Sequence, residues 1–231
     1  MNLFITGTGT DVGKTFLTCG LLRSLQRNCV PMNALKPVVS GFTFSERAQT
    51  DTGLLLRALN RPLDEESIEK LSPWRYMAPL SPDAAAAHEG RTLPFEKLIA
   101  MCKGQLTIGS TLIEGVGGVL VPLDDKRSVR DWISELDLPV LLVTRADLGT
   151  LSHTLCAAEA LSYKGVKIRA VVVNDVSNVQ MQKDAPAVHE TVETLKRFLP
   201  SSIPTYSLRY QADAAAFDDL RDALFPSRFL E

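Results

Sequence analysis

The sequence contains little cysteine and histidine, and its positive and negative charges nearly cancel. The 4 cysteines are widely spaced and form no C-x-x-C pair, which argues against a zinc site and a secreted disulfide framework, so we expect a cytoplasmic protein. The 3 histidines are scattered, and no catalytic triad is predicted. With 25 Lys and Arg against 27 Asp and Glu, the net charge of −2 gives no reason to expect nucleic acid or an anionic membrane as partner.

Signals for export or membrane insertion are also lacking. The chain begins MNLFI, and its first basic residue is Lys14, unlike a signal peptide. The longest apolar stretch, residues 106–121, contains Glu114 near its middle and four glycines. We therefore expect a buried strand followed by a glycine loop there, and no membrane helix.

The remaining pattern is that of a globular α/β domain. A length of 231 residues with 45% hydrophobic residues fits one domain, expected to span residues 1–231. Short β-branched runs alternate with helical segments, which predicts a doubly wound, mostly parallel sheet flanked by helices. The predicted strands are 3–6, 32–35, 111–113, 140–144, 168–173 and 203–206, and the predicted helices are 14–26, 50–59, 94–102, 129–135, 151–164, 183–198 and 213–224. Residues 64–94 interrupt this alternation and indicate a partly helical surface excursion, either a lid or an oligomer contact.

A glycine-rich loop follows the first predicted strand, at the carboxyl end where such sheets bind ligands. Residues 7–15 read GTGTDVGKT and lead into a Leu-rich segment. Backbone N–H groups of such a loop surround phosphates, Lys14 would reach the β- and γ-phosphates, and the Thr15 hydroxyl would ligate Mg²⁺. The match to G-x-x-x-x-G-K-[ST] is imperfect, because Thr8 stands where glycine is expected. A plain glycine turn is the alternative, but the flanking strand and helix favour a nucleotide loop.

Two carboxylates could complete a magnesium site with Thr15. Glu114 ends the buried strand 111–113, and Asp51 stands at the start of the helix 50–59. Magnesium needs hard oxygen ligands and retains several waters, so a hydroxyl, two carboxylates and phosphate oxygens suffice. An N-cap is the alternative for Asp51, whereas an isolated acid at the end of a buried strand requires a partner.

Four motifs together resemble the dethiobiotin synthetase family. They are GTGTDVGKT at 7–15, KPVVSG at 36–41, EGVGG at 114–118 and ND at 174–175, in the same order and at similar spacing over nearly the whole chain. The resemblance implies a P-loop NTPase type fold and an ATP- and Mg²⁺-dependent ligase of biotin biosynthesis. In that family CO₂ adds to an amine of 7,8-diaminopelargonate, ATP phosphorylates the carbamate, and the second amine closes the ureido ring of dethiobiotin.

The resemblance also implies roles for individual residues. Lys36 and Lys14 would be catalytic cations that stabilise the charge of the transferring phosphoryl group. Thr10 and Ser40 would bind substrate, although a surface lysine at 36 and loop-capping hydroxyls are the plainer alternatives. The implied ATP-binding residues are Asp11, Val12, Gly13, Lys14, Thr15, Phe16, Asp51, Glu114, Gly115, Val116, Gly117, Asn174, Asp175, Pro204, Thr205 and Tyr206.

Two further segments receive roles. Gly149, Thr150, Leu151 and Ser152 begin a predicted helix whose N-terminus would bind the substrate carboxylate. In the family this segment contacts substrate held by the other subunit, which implies a homodimer; an ordinary glycine turn is the alternative. Asn174 would recognise adenine, in a base pocket shared with residues 204–206, although Asn-Asp turns are also common for local reasons.

The sequence departs from the family at three positions, and three other classes compete. Gly9 and Asp83 stand where the family often has an acid and a histidine. Asp147 places a negative charge just before the proposed carboxylate-binding turn, where a neutral or basic residue is expected, and the three departures bear on the substrate pose more than on the reaction class. A ParA/MinD-like switch ATPase that binds a protein partner usually has an extra lysine early in the loop, which is missing here. A cobyrinate-type amidoligase needs a glutaminase domain, for which this chain has no room. A nucleotide kinase is expected to have an arginine-rich lid, and the arginines here are too dispersed to form one.

Overall fold

The computed structural model describes residues 2–175, 187–209 and 211–225. The strands are β1 (Asn2–Gly7), β2 (Asn33–Leu35), β3 (Val38–Ser40), β4 (Trp74–Tyr76), β5 (Thr111–Glu114), β6 (Val140–Arg145), β7 (Ile168–Asn174) and β8 (Thr205–Leu208). The helices are α1 (Lys14–Arg27), α2 (Asp51–Ala58), α3 (Glu65–Leu71), α4 (Pro82–His88), α5 (Phe95–Leu106), α6 (Val129–Leu136), α7 (Thr150–Tyr163), α8 (Val188–Phe198) and α9 (Ala214–Leu224). The first part of the predicted helix 183–198 lies outside the described residues.

Six strands form one parallel sheet in the order β2-β5-β1-β6-β7-β8. Alternate strand residues face two separate cores, because successive side chains of a strand point to opposite sides of the sheet. One core joins the sheet to α5, α6, α7 and α8, and the other joins it to α1, α2, α3 and α9. The predicted doubly wound, mostly parallel sheet with helices on both faces is therefore confirmed.

The central strands are continuous apolar runs because helices cover both faces of the sheet. In β6 the first five residues of VLLVTR are buried, as expected of a strand covered on both faces. Several helices begin at residues whose side chains accept a backbone N–H, such as Thr50 before α2 and Asp64 before α3. Within the described part of the chain, no helix is long and apolar enough to cross a membrane.

The excursion over residues 64–94 contains the predicted helical parts, α3 and α4, and one strand that was not predicted. β4 pairs in parallel with β3 as a separate two-stranded sheet, with Val38 opposite Trp74 and Ser40 opposite Tyr76. With three residues, β4 is too short to show an alternating pattern, and no signal in the sequence pointed to it. The pair brings residues 79–82 over the carboxyl edge of the main sheet, where the functional site lies.

Candidate active site

The phosphate loop connects β1 to α1 and includes two residues with positive φ. Asp11 has φ 56° and Gly13 has φ 93°. A Cβ atom at position 13 would lie 1.8 Å from Nδ2 of Asn174, so only glycine fits there. The Lys14 ammonium donates a hydrogen bond to the carbonyl of Gly9 at 2.7 Å and so folds back over the loop. The structure thus forms the predicted strand–loop–helix arrangement with Lys14 at its centre.

The Thr15 hydroxyl lies between the two predicted metal-binding carboxylates. Its Oγ1 is 2.7 Å from Oδ1 of Asp51 and 2.6 Å from Oε1 of Glu114. A hydroxyl has one proton and can donate it to only one of these oxygens, so the second contact brings oxygens together without a proton between them. A cation at this point would remove that conflict.

Lys36 is buried beside the same carboxylates, so it is not the surface lysine that was the plainer alternative. It follows β2 with 2% of its side chain exposed, and its ammonium lies 2.7 Å from Oε1 of Glu114 and 3.0 Å from Oδ2 of Asp51. It also donates to the carbonyl of Gly115 at 2.8 Å. Asp51 is the first residue of α2, and Thr50 is the N-cap, so the N-cap alternative for Asp51 does not hold.

The cluster shifts the pKa values of its members in opposite directions. Burial alone would lower the pKa of Lys36, but the carboxylates of Glu114 and Asp51 outweigh it and hold the pKa above its ordinary value. Burial would raise the pKa of Asp51, yet the Lys36 charge and the hydrogen bond from Thr15 lower it. For Lys14, burial and the neighbouring Lys36 charge lower the pKa to about 8. Lys36 therefore keeps its charge throughout the neutral pH range.

The donor set fits a magnesium ion bound with a nucleotide. Glu114 is fully buried, and its Oε2 has no hydrogen-bond partner among the described residues, which leaves an acceptor to be satisfied. Thr15 and Asp51 supply two more hard oxygens next to it. No group of three or more His, Cys, Asp and Glu that could hold a metal occurs in the described part of the chain. This sparse set suits Mg²⁺, which takes further ligands from water and phosphate.

A cavity of about 670 Å³ opens above the cluster, between the phosphate loop and residues 79–82. The predicted residues that line it are Thr10, Asp11, Gly13, Lys14, Thr15, Phe16, Lys36, Ser40, Asp51, Val116 and Gly117. The lining residues that the sequence reasoning missed are Val39, Pro79, Leu80, Ser81, Pro82 and Val121. For residues 79–82, the prolines of the excursion were the feature of the sequence that could have indicated this loop. The Ser40 hydroxyl has no partner among the described residues, although it is buried.

The predicted base-binding residues are not among the lining residues, although Asn174 contacts the phosphate loop. Asn174 is buried at the end of β7, where Nδ2 donates to the carbonyl of Val12 at 3.2 Å, and its Oδ1 lacks a partner among the described residues. In the register of β7 and β8, Asn174 is opposite Leu208, whereas Thr205 is opposite Val171. Thr205 and Tyr206 therefore start β8, and Pro204 precedes it, away from the carboxyl edge. Adenine recognition by Asn174, Asp175 and residues 204–206 stays a prediction.

The predicted carboxylate-binding turn forms the start of α7, outside the main cavity. Gly149 has φ 86° at the N-cap, and Leu151 and Ser152 are exposed. Thr150 instead faces inward: its N–H donates to the carbonyl of Asp147 and its hydroxyl to the carbonyl of Arg145. The prediction for this turn thus depends on Gly149, Leu151 and Ser152. The side chain of Asp147 pairs with Arg145 at 2.8 Å, which partly neutralises the charge that was unexpected there.

Comparisons with known proteins agree with this geometry. A parallel doubly wound sheet with a phosphate loop and Lys14-Thr15 at the first helix defines a P-loop nucleotide-binding protein, and the AAA domain family matches residues 1–204. The chain is also 43% identical over 206 residues to the ATP-dependent dethiobiotin synthetase BioD of Acidiphilium cryptum, covering 88% of this chain and 90% of that protein. The protein of that name from Caulobacter sp. strain K31 is 40% identical over 232 residues, covering 98% and 97%.

The chain belongs to the dethiobiotin synthetase family, as its sequence motifs predict. Among solved structures, the MinC:MinD complex of Aquifex aeolicus matches with a TM-score of 0.54 at 13% identity, over 99% of this chain and 91% of that one. Apo McdA matches with a TM-score of 0.54 at 13% identity, over 98% and 94%. These two likenesses show a shared fold.

Proposed function

We propose that this chain catalyses the ATP-dependent closure of 7,8-diaminopelargonate and CO₂ to dethiobiotin, with release of ADP and phosphate. One amine attacks CO₂ and loses a proton, which forms the N–C bond of a carbamate. A carbamate oxygen then attacks the γ-phosphorus of ATP, and the bond to ADP breaks. The second amine attacks the carbamate carbon, loses a proton and expels phosphate, which closes the ring.

The observation that carries this proposal is the buried Lys36 cation beside the phosphate loop. Its ammonium is held by Glu114 and Asp51 on the floor of a cavity that Lys14 also lines. Negative charge accumulates on several oxygens as the carbamate oxygen attacks the γ-phosphoryl group. Cations fixed before the reaction stabilise that charge without reorganising, and comparable groups in phosphoryl transfer are worth about 10³–10⁵ in rate.

The remaining residues bind and orient the reactants. Thr15, Asp51 and Glu114 would hold Mg²⁺, which neutralises phosphate charge when it is bound. Thr10 and Ser40 line the cavity, and their hydroxyls would hydrogen-bond the carbamate or an amine. The charge on Lys36 favours the neutral form of a nearby substrate amine, which must be deprotonated in order to attack.

We also propose that the active enzyme is a cytoplasmic homodimer. Leu148 is 91% exposed and directly precedes the Gly149 turn, and Leu120, which is 55% exposed, lines a second cavity together with His153 of α7. Large exposed apolar side chains beside a predicted substrate-binding turn support a second subunit at this face. Sedimentation at several protein concentrations tests this, and a monomer at assay concentrations would contradict it.

A nucleotide switch that binds a protein partner is the rival function. Its support is a likeness of fold to MinD and McdA, and fold alone does not carry function. No lysine precedes Gly13 in the phosphate loop, whereas such switches usually have one there. The family match and the position of Lys36 favour the ligase.

The experiment that tests the proposed function measures ADP release with ATP, Mg²⁺ and bicarbonate, with and without 7,8-diaminopelargonate. We expect release that requires both the diamine and bicarbonate, with dethiobiotin confirmed by mass spectrometry. Hydrolysis that ignores the diamine, or no hydrolysis, would contradict the proposal and favour the switch.

A further inference from the structure

Four threonine hydroxyls form a chain of hydrogen bonds from the phosphate loop to the start of α7. Oγ1 of Thr144, at the end of β6, lies 3.2 Å from that of Thr8, 2.8 Å from that of Thr150 and 2.9 Å from that of Thr154. Thr144 and Thr154 are fully buried, and Thr150 is 5% exposed. None of these contacts involves the charged cluster of the active site.

The geometry fixes the direction of every bond in this network. The Thr150 proton goes to the carbonyl of Arg145, so Thr150 must accept from Thr144. The single proton of Thr144 is thereby used, and Thr144 accepts from Thr154 and Thr8 with its two lone pairs. The Thr144 hydroxyl thus makes all three bonds that a hydroxyl can make, which no other side chain of this size could reproduce apart from serine.

We infer that Thr144 is a positioning residue, which holds the Gly149 turn of α7 at a fixed place relative to the phosphate loop. The two ends of the network differ in how else they are held. The phosphate loop has further anchors, since Thr8 N–H donates to Val143 O at 3.0 Å and Val119 N–H donates to Gly7 O at 3.1 Å. At the other end Gly149 is exposed, and the further bonds of Thr150, to the carbonyls of Arg145 and Asp147, reach residues at most five positions earlier in the chain. The network, in contrast, connects Thr150 and Thr154 of α7 to the phosphate loop through Thr144 and Thr8.

Loss of the network should therefore displace α7 more than the phosphate loop. The Gly149 turn is the segment proposed to bind the diamine carboxylate, so the expected change in KM rests on the proposed function. Removing one buried hydroxyl leaves its partners unsatisfied, which predicts an increase of about tenfold in KM for the diamine. The KM for ATP should change much less.

The test compares two substitutions at the centre of the network. Thr144→Val keeps the shape of the side chain and removes the hydroxyl, whereas Thr144→Ser keeps the hydroxyl. Thr111→Val is the matched control, because Thr111 is equally buried at the opposite end of the sheet. Its hydroxyl bonds locally, to the carbonyl of Gly109 at 3.0 Å, and to no other group in the part of the chain that the structure describes. We expect the higher diamine KM in Thr144→Val, and values near those of the unmodified protein in the other two.

Amide hydrogen exchange gives a second readout that does not depend on activity. Exchange of the Thr150 and His153 N–H groups should be faster in Thr144→Val and unchanged in Thr111→Val. If Thr144→Val does not fold, Thr154→Val removes a single bond of the network and takes its place. Equal increases in the KM for ATP and for the diamine, an equally impaired Thr144→Ser, or unchanged exchange at α7 would overturn the inference. If the unmodified protein makes no dethiobiotin, the proposed function fails, and the exchange comparison still decides the role of Thr144.

Discussion

Two clusters in this protein contain the same chemical groups, a lysine, a carboxylate and a hydroxyl, but differ in burial. At the active site Lys36 pairs with Glu114, whose side chains are 2% and 0% exposed. At the start of α6, Lys164 pairs with Asp131 at 3.1 Å, with 39% and 24% exposed. Thr15 supplies the hydroxyl in the first cluster, and Ser128 supplies it in the second.

Burial decides what each cluster contributes. Charges taken out of water cost free energy that a single ion pair often fails to recover, so the inner cluster is poor evidence of stabilisation. Glu114 Oε2 also lacks a partner among the described residues, as expected of a site prepared for a ligand. At α6 the N–H and the hydroxyl of Ser128 both donate to Oδ2 of Asp131, three residues along the chain, as in a helix cap. The inner cluster should therefore control activity, and the outer one stability.

The largest effect is expected from Lys36→Ala. It should lower turnover by about 10³ or more while ATP binding stays mostly intact, because the cation acts on charge that develops in the transition state. Steady-state kinetics and a nucleotide-binding titration measure the two quantities. Lys70→Ala is the matched control, since Lys70 is 70% exposed and pairs with Glu66 on the surface of α3. Equal losses of binding and turnover would assign Lys36 a binding role instead.

Glu114→Gln should have the next largest effect, on the requirement for Mg²⁺. The amide keeps the size of the side chain but removes the charge, so the Mg²⁺ concentration for half-maximal activity should rise by about tenfold or more. The corresponding control is Glu66→Gln, at a side chain that is 77% exposed. A metal titration that matches that of the unmodified protein would remove Glu114 from the metal site.

The sequence predicted the framework of this molecule better than its small elements. The central strands are short runs buried on both faces, and such runs are recognisable without tertiary information, as in β6 and β7. The two-stranded sheet of β3 and β4 was not predicted, because it depends on pairing between residues 36 positions apart in the chain, such as Val38 and Trp74. The helix α8 was predicted, and it begins at Val188, after the N-cap residue Ala187.

The candidate site divides in a similar way. Thr15 and Lys14 follow from a contiguous motif, whereas Lys36 was assigned a role by resemblance, and its burial could not be read from a lysine before a proline. The threonine network was not predicted, because Thr8 and Thr144 lie 136 residues apart and Thr144 belongs to no recognised motif. Residues that act through distant partners give no local signal.

At the outer cluster, Asp131→Asn should reduce stability without changing turnover. Partial burial alone would raise the pKa of Asp131, but hydrogen bonds from the N–H and hydroxyl of Ser128 and the charge of Lys164 lower it to about 2. After allowance for solvent screening, we expect a loss of about 1 kcal/mol in the free energy of unfolding at pH 7. Denaturant unfolding of the two proteins gives this difference directly.

The pH dependence of that difference follows from the direction of the shift. The folded-state pKa near 2 lies below the unfolded value of about 4, so the unfolded state binds the proton first. The contribution of Asp131 is complete above about pH 4 and is lost as the pH falls towards 2. The difference in unfolding free energy between the unmodified protein and Asp131→Asn should therefore become smaller below pH 4. If the difference in unfolding free energy stayed constant from pH 6 to pH 3, the loss of stability in Asp131→Asn would have a cause other than the missing charge.

The smallest effect is expected from Lys164→Ala, and it tests whether burial is the property that separates the two clusters. A half-exposed ion pair gains little Coulomb energy in water and loses side-chain entropy, so the cost should be at most about 0.5 kcal/mol and should shrink as salt is added. A double-mutant cycle with Asp131→Asn isolates the pair from the cap, because the hydrogen bonds from Ser128 are absent from the coupling term. A coupling free energy above about 1 kcal/mol that persists in high salt would mean that an exposed pair here behaves like a buried one. Burial would then not explain why one lysine–carboxylate pair is expected to govern turnover and the other only the stability of a helix end.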